Sequence, residues 1–172
     1  MAKNLVIYYS RKGQNYVNGS IVDLEKGNTE LIAEYIQNAV GADLFEVDTV
    51  EPYPVDYMEC TEVAKKELHE NARPKLKEHL EDISEYDNVV VAAPCWWGTY
   101  PCAVFTQLEM LDFKGKKVFP VMTHEGSGEA GSRSALKKEC IGAKVEKAFA
   151  IRGSACATAE SSVAAWAKKN LD

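Results

Sequence analysis

Apolar and polar positions along the chain switch between two periods. Residues 4–9, Asn-Leu-Val-Ile-Tyr-Tyr, form a short, mostly apolar run of the kind buried on both faces of a parallel sheet. Residues 10–28 are polar and read as a long loop. From 29 to 40 the apolar positions Leu31, Ile32, Tyr35, Ile36, Ala39 and Val40 fall at helical spacing, and Gly41 suits a helix stop. Residues 43–49 predict a short strand, and Glu51-Pro52-Tyr53-Pro54 breaks the pattern. Residues 56–71 predict a charged surface helix, and 74–85 a further short helical segment. Asp87 to Ala93 gives the clearest central strand. Pro101 suits the first turn of a helix running to about Asp112. Residues 116–122 predict a strand, 132–140 a helix, 145–152 a strand and 159–170 a helix.

Five strands, each followed by helix, predict an α/β fold: a three-layer α/β/α sandwich around a parallel sheet. No repeat or low-complexity linker divides the 172 residues, so one domain over 1–172 is expected. With 46% hydrophobic residues the chain can bury a core without disulfide or metal staples. The net charge of −6 argues against nucleic acid or an anionic membrane as a partner. That charge is uneven. Residues 28–93 carry sixteen acidic and five basic side chains, while the segments on either side are net positive. The apolar stretch Leu5–Tyr9 is too short for a signal-peptide core, and no stretch approaches a membrane span. The five cysteines are odd in number and lack a CxxC pair, and only three histidines accompany them. Reduced thiols, no zinc site and a cytoplasmic location are the expectation.

In an open parallel sheet, ligands sit beyond the carboxyl ends of the strands where strand order reverses. Three loops fall there. The first contains Ser10-Arg11-Lys12-Gly13-Gln14-Asn15 and closes on Gly27-Asn28-Thr29 at a helix start. Hydroxyls and free amides at a helix amino terminus suit a phosphate, and Asn and Thr are equally good plain caps. The second reads Pro94-Cys95-Trp96-Trp97-Gly98-Thr99-Tyr100-Pro101. Adjacent tryptophans diverge, so one can pack beneath the loop while the other offers a flat face to a planar ligand. A hydrophobic cluster capping the sheet is the competing explanation. The third reads Thr123-His124-Glu125-Gly126-Ser127-Gly128-Glu129-Ala130-Gly131. Its GxGxxG match over 126–131 follows the fourth strand instead of the first, so it is not a dinucleotide fingerprint. His124 reads as a hydrogen-bonded loop residue more readily than as a base. Cys95 and Cys102 lie near this region, and small buried hydrophobes explain them better than thiol chemistry.

Together these loops resemble the flavodoxin-like family, as does Gly115-Lys116-Lys117 before the fourth strand. The resemblance spans most of the chain and implies a five-stranded parallel sheet of order 2-1-3-4-5 that holds one non-covalent FMN. It assigns Ser10, Asn28 and Thr29 to the FMN phosphate; in this longer first loop either Gly27-Asn28-Thr29 closes the site or Gly13-Gln14-Asn15 supplies part of it, and Arg11 and Lys12 could add charge pairing. It places Pro94, Cys95, Trp96, Trp97, Gly98 and Thr99 along one side of the isoalloxazine ring. Thr123, His124, Gly126, Ser127 and Gly128 line the other side and the ribityl chain. Either tryptophan is a candidate to stack on the ring, and the Gly98 peptide is the one whose carbonyl would turn toward the flavin N5. One departure stands out. About 13 residues separate Gly13 from Gly27, where the family keeps a tight phosphate loop; the insertion could serve as a lid.

The expected activity is FMN-dependent electron transfer, with a redox partner protein or a small planar electron acceptor, by a monomer or homodimer. An FMN-dependent NAD(P)H:quinone or nitro-compound reductase is the alternative on the same fold. A phosphoacceptor domain would need acidic residues after strand one and at the end of strand three. Tyr8-Tyr9-Ser10 and Ala92-Ala93-Pro94 stand there instead. A flavin-free interaction domain is the remaining competitor.

Overall fold

Strand β1 (Asn4–Tyr8) is buried at every position, as its apolar run requires, and forms the hub of the sheet. The computed structural model describes residues 1–172. β1 pairs in parallel with β4 (Asp43–Glu46) on one side and with β5 (Asn88–Pro94) on the other. β5 continues to β6 (Lys117–His124), which carries two short parallel strands, β7 (Lys144–Val145) and β8 (Phe149–Arg152). Taking β7 and β8 as the fifth sequence strand, interrupted at its middle, the order is the expected 2-1-3-4-5.

Helices α1 (Asn28–Val40) and α6 (Glu160–Leu171) cover one face, where Ile32, Ile36, Val163 and Leu171 pack on Val6, Val90 and Phe119. The other face meets α3 (Cys102–Leu108) and α4 (Ser132–Glu139) through Val104, Leu108 and Leu136, packed on Ile7, Val91 and Met122. Alternation along each strand supplies both cores, since successive side chains leave the sheet on opposite faces. α2 (Tyr57–Glu70) begins where Asp56 accepts the Glu59 amide at 2.9 Å, as an N-cap should. No helix is long and apolar enough to cross a membrane.

The structure departs from the sequence expectations at five places. Residues 13–24 are not a polar loop: β2 (Gly13–Val17) and β3 (Ser20–Leu24) form an antiparallel hairpin joined by Asn18-Gly19. Both turn residues lie at positive φ, 52° and 85°, the geometry that an Asn-Gly pair favours in two-residue hairpins. Residues 74–85 are not helical either, because their polar backbone groups are bound elsewhere. Thr106 donates to the Pro74 carbonyl, Gln107 exchanges two hydrogen bonds with the backbone of Leu80, and Leu76 bridges Thr49. The strand expected at 43–49 ends at Glu46, and α3 ends at Leu108, short of Asp112. Finally, a single-turn helix, α5 (Gly153–Cys156), follows β8 directly.

All five cysteines are free. Burial pushes the Cys102 and Cys60 thiols up, and takes those of Cys140 and Cys156 to about 12. The start of α3 therefore does not activate Cys102; desolvation dominates.

Candidate functional site

The carboxyl ends of β1, β5 and β6 open on a polar cleft lined by Arg11, Asn15, Asn28, Thr29, Pro94, Cys95, Trp96, Thr123 and His124. Each of these was a candidate from sequence. Four further residues complete the lining: Tyr16 from the hairpin, Tyr57 from the start of α2, Glu125, and Gly153 at the start of α5. The volume is about 100 Å³, below the roughly 300 Å³ at which ligand pockets begin. A more apolar cavity of about 240 Å³ adjoins it and shares Arg11, Tyr57, Cys95 and Trp96; Cys60, Thr61, Ala64 and Trp97 finish its wall. The two together reach the size range of a ligand pocket.

At the polar end, α1 starts without a side-chain cap of its own. Ser10 supplies one from β1's carboxyl end: its Oγ accepts the Glu30 amide at 3.0 Å. Helix geometry leaves the Asn28 and Thr29 amides without an intrahelical acceptor, so both are available to an anion. The Thr29 and Thr123 hydroxyls meet at 2.9 Å and are buried, which ties the start of α1 to the end of β6. Arg11 does not point its charge at this end. Its guanidinium donates to the carbonyls of Gln14, Pro54 and Val55, pinning the hairpin base to the segment before α2. Asn15 likewise donates to the Arg11 and Gly13 carbonyls.

The tryptophans diverge as neighbouring side chains must. Trp96 turns inward and meets Tyr9 and Tyr53 edge-on, with ring centroids 5.1 and 4.9 Å apart. Tyr53 in turn donates to the Glu67 carboxylate at 2.6 Å. Trp97 turns outward, half exposed; its Nε1–H donates to the Thr61 carbonyl and the Lys65 ammonium lies over its ring. Only Trp96 lines the polar cleft. Trp97 and Gly98 are the central residues of a turn closed by two hydrogen bonds between Trp96 and Thr99. Their φ values of 55° and 85° are those of a type I′ turn, which a glycine tolerates and a tryptophan adopts only under constraint. The Gly98 carbonyl accepts the Gly131 amide at 2.9 Å, so any rotation of that peptide must break this bond.

His124 accepts the Gly126 amide at Nδ1, 2.9 Å, which requires that nitrogen to be unprotonated. Burial, then the nearby Arg152, holds its pKa below the ordinary histidine value against the opposing pull of Glu125. Of the other sequence candidates, Ser10, Trp97, Gly98, Thr99, Gly126, Ser127 and Gly128 do not line the polar cleft. Glu125 reaches into the cleft instead. A Cβ on Gly153 would fall on its Oε1 and only 2.7 Å from Asn28 Nδ2, so a side chain there would push both groups aside.

A doubly wound α/β sandwich with a polar helix start at one end of its cleft and a tryptophan loop at the other has the architecture of a small flavoprotein. The model of a flavodoxin family, described as "Flavodoxin", matches residues 22–170, and the chain belongs to that family. Among solved structures, it is similar to a protein from Bacteroides eggerthii provisionally assigned as a flavoprotein. The two share 28% identity over 98% of each chain, with a TM-score of 0.76. A second, likewise provisionally assigned, comes from Bacteroides uniformis: 24% identity, 97% of this chain, 98% of that one, TM-score 0.75. A flavoprotein from Lactobacillus acidophilus, solved in complex with FMN, is 20% identical over 94% and 99% of the chains, with a TM-score of 0.65. The last two show the shared fold alone. No curated protein sequence matches.

Proposed function

We propose that this chain is a one-domain, cytoplasmic FMN protein that carries electrons between redox partners. The observation that carries the reading is the cleft itself. One end offers the first-turn amides of α1 with the Asn28 and Thr29 side chains, a donor set suited to a phosphate. The other end offers the Trp96 face and the backbone of 94–95, suited to a planar ring.

When bound, FMN supplies the redox chemistry; the protein's part is to hold it and tune it. Asn28, Thr29 and Ser10 hold the phosphate end. Trp96, fixed by Tyr9, Tyr53 and the Tyr53–Glu67 bond, keeps the ring end dry. His124, neutral at pH 7, adds no positive charge beside the cleft. The acidic surface of residues 28–93 is a steering face for a basic redox partner, so transfer rates fall as salt rises.

The adjoining apolar cavity favours a second reading, an NAD(P)H-dependent reductase with a small planar acceptor such as a quinone or nitro-compound. Two measurements test these readings. Protein that is colourless, takes up no FMN and leaves its fluorescence unquenched would exclude both. Rapid flavin bleaching on mixing with NADH or NADPH would select the reductase; stepwise one-electron reduction in an anaerobic titration would select the carrier.

A further inference from the structure

The Glu125 side chain has an arrangement that neither packing nor the flavin reading accounts for. Its Oε1 is buried and has no hydrogen-bond partner. It lies against Gly153, which the Asn28 side chain also approaches, beside the helix start that the FMN reading gives to the phosphate. Its Oε2 accepts the Asn18 amide at 3.1 Å, in the turn of the β2–β3 hairpin. Asn18 lies 107 positions away in sequence, so this single carboxylate clips the tip of the hairpin to the bottom of the cleft. A buried carboxylate oxygen without a donor is unfavourable, because nothing replaces the water it lost. Two things hold it there: the clip to Asn18 and the positive end of α1. The helix end would act equally on a phosphate, and the two anions cannot share the space.

We propose that Glu125 is an internal rival for the ligand's phosphate, and that a phosphate entering the cleft displaces it and unclips the hairpin. This rests on the FMN reading. Glu125 is thus a specificity-determining residue: it acts against a phosphorylated flavin and is indifferent to riboflavin. Displacement also enlarges the polar cleft, since the carboxylate and the hairpin both line it. Opening the hairpin requires no loss of core, because its exposed Tyr16 and Ile21 contribute to neither core cluster.

Two variants separate charge from clip. Glu125→Gln keeps an acceptor for the Asn18 amide and removes the charge; Glu125→Ala removes both. Flavin-stripped wild type and variants are titrated with FMN and with riboflavin, following flavin fluorescence, and exchange of the Asn18 amide is followed by NMR. Both variants are expected to bind FMN about tenfold more tightly, the scale of removing one like charge at close range. Riboflavin affinity stays within about twofold, the scale of an exposed contact that is not remade. The Asn18 amide exchanges faster in Glu125→Ala, and in wild type once FMN is added. Weaker FMN binding by either variant, equal tightening for riboflavin, or Asn18 exchange insensitive to FMN would overturn the proposal while leaving the FMN reading intact. If no form binds FMN, both fall.

Discussion

The two walls of the cleft are built to different standards. The strand-end wall, residues 94–100, is braced from every side: Trp96 by Tyr9 and Tyr53, Trp97 by the Thr61 carbonyl, Gly98 by the Gly131 amide. Tyr100, behind them, is fully buried and donates to the Val91 carbonyl. The hairpin wall, residues 13–24, pairs with no strand of the main sheet. It is tied by Arg11 at its base, by Gln14 accepting the Tyr57 amide, by Tyr16 stacked on Tyr57, and by the Asn18–Glu125 clip at its tip. The difference teaches where this molecule is free to move. A ligand meets one surface fixed by the core and another held by a few hydrogen bonds and one ring stack, and low-stability segments are where lids arise.

The sharpest break of that comparison is Trp96→Ala, which removes the keystone of the braced wall. Its half-buried ring makes about 2 kcal/mol of lost stability the expectation, below the ~3–5 kcal/mol of a fully buried aromatic. Thermal unfolding measures it, and flavin affinity should fall by up to about tenfold, the scale of one aromatic contact. Next is Thr29→Val, which strands the buried Thr123 hydroxyl and should cost about 1–3 kcal/mol; the Thr29→Val/Thr123→Val pair should cost less than the two singles added. A double-mutant cycle in denaturant that proves additive would show the two sites to be uncoupled. Tyr16→Ala, in the other wall, should change stability by less than about 0.5 kcal/mol, as an exposed site does, while altering flavin affinity. If it destabilises as much as Trp96→Ala, the contrast between the walls is wrong.

The smallest expected effect is a pH dependence at His124. Its folded pKa is depressed, so the unfolded chain binds the proton more readily. Its contribution to stability is therefore complete above the ordinary histidine value of 6.5 and is lost as pH falls from there through the folded pKa. Protonation also ends acceptance of the Gly126 amide at Nδ1. The melting-temperature difference between wild type and His124→Gln should shrink between pH 7 and pH 5; a difference that stays flat would show that His124 does not titrate there.

Legibility followed the same division. The strands at 4–8, 88–94 and 117–124, the helix at 28–40 with its stop at Gly41, and the three loops at the strand ends could all be read from local pattern. The hairpin could also have been found: Asn18-Gly19 between two short runs is a strong two-residue turn signal, masked by its weak hydrophobic alternation. Gly153 and Tyr57 could not. Each enters the cleft from an element distant in sequence, and nothing in its neighbours marks it.

What the sequence determined by itself was the alternation of buried strands and amphipathic helices, hence the layered sheet and the end of it where a ligand belongs, because periodicity and strand burial are local consequences of side-chain polarity. Tertiary structure decided what local pattern cannot carry. It turned 74–85 into an irregular segment by binding its backbone to Thr106 and Gln107. It chose Trp96 over Trp97 for the cleft through two tyrosines from other elements. It brought Glu125 to Asn18 and against Gly153, a meeting of distant segments that no periodicity records.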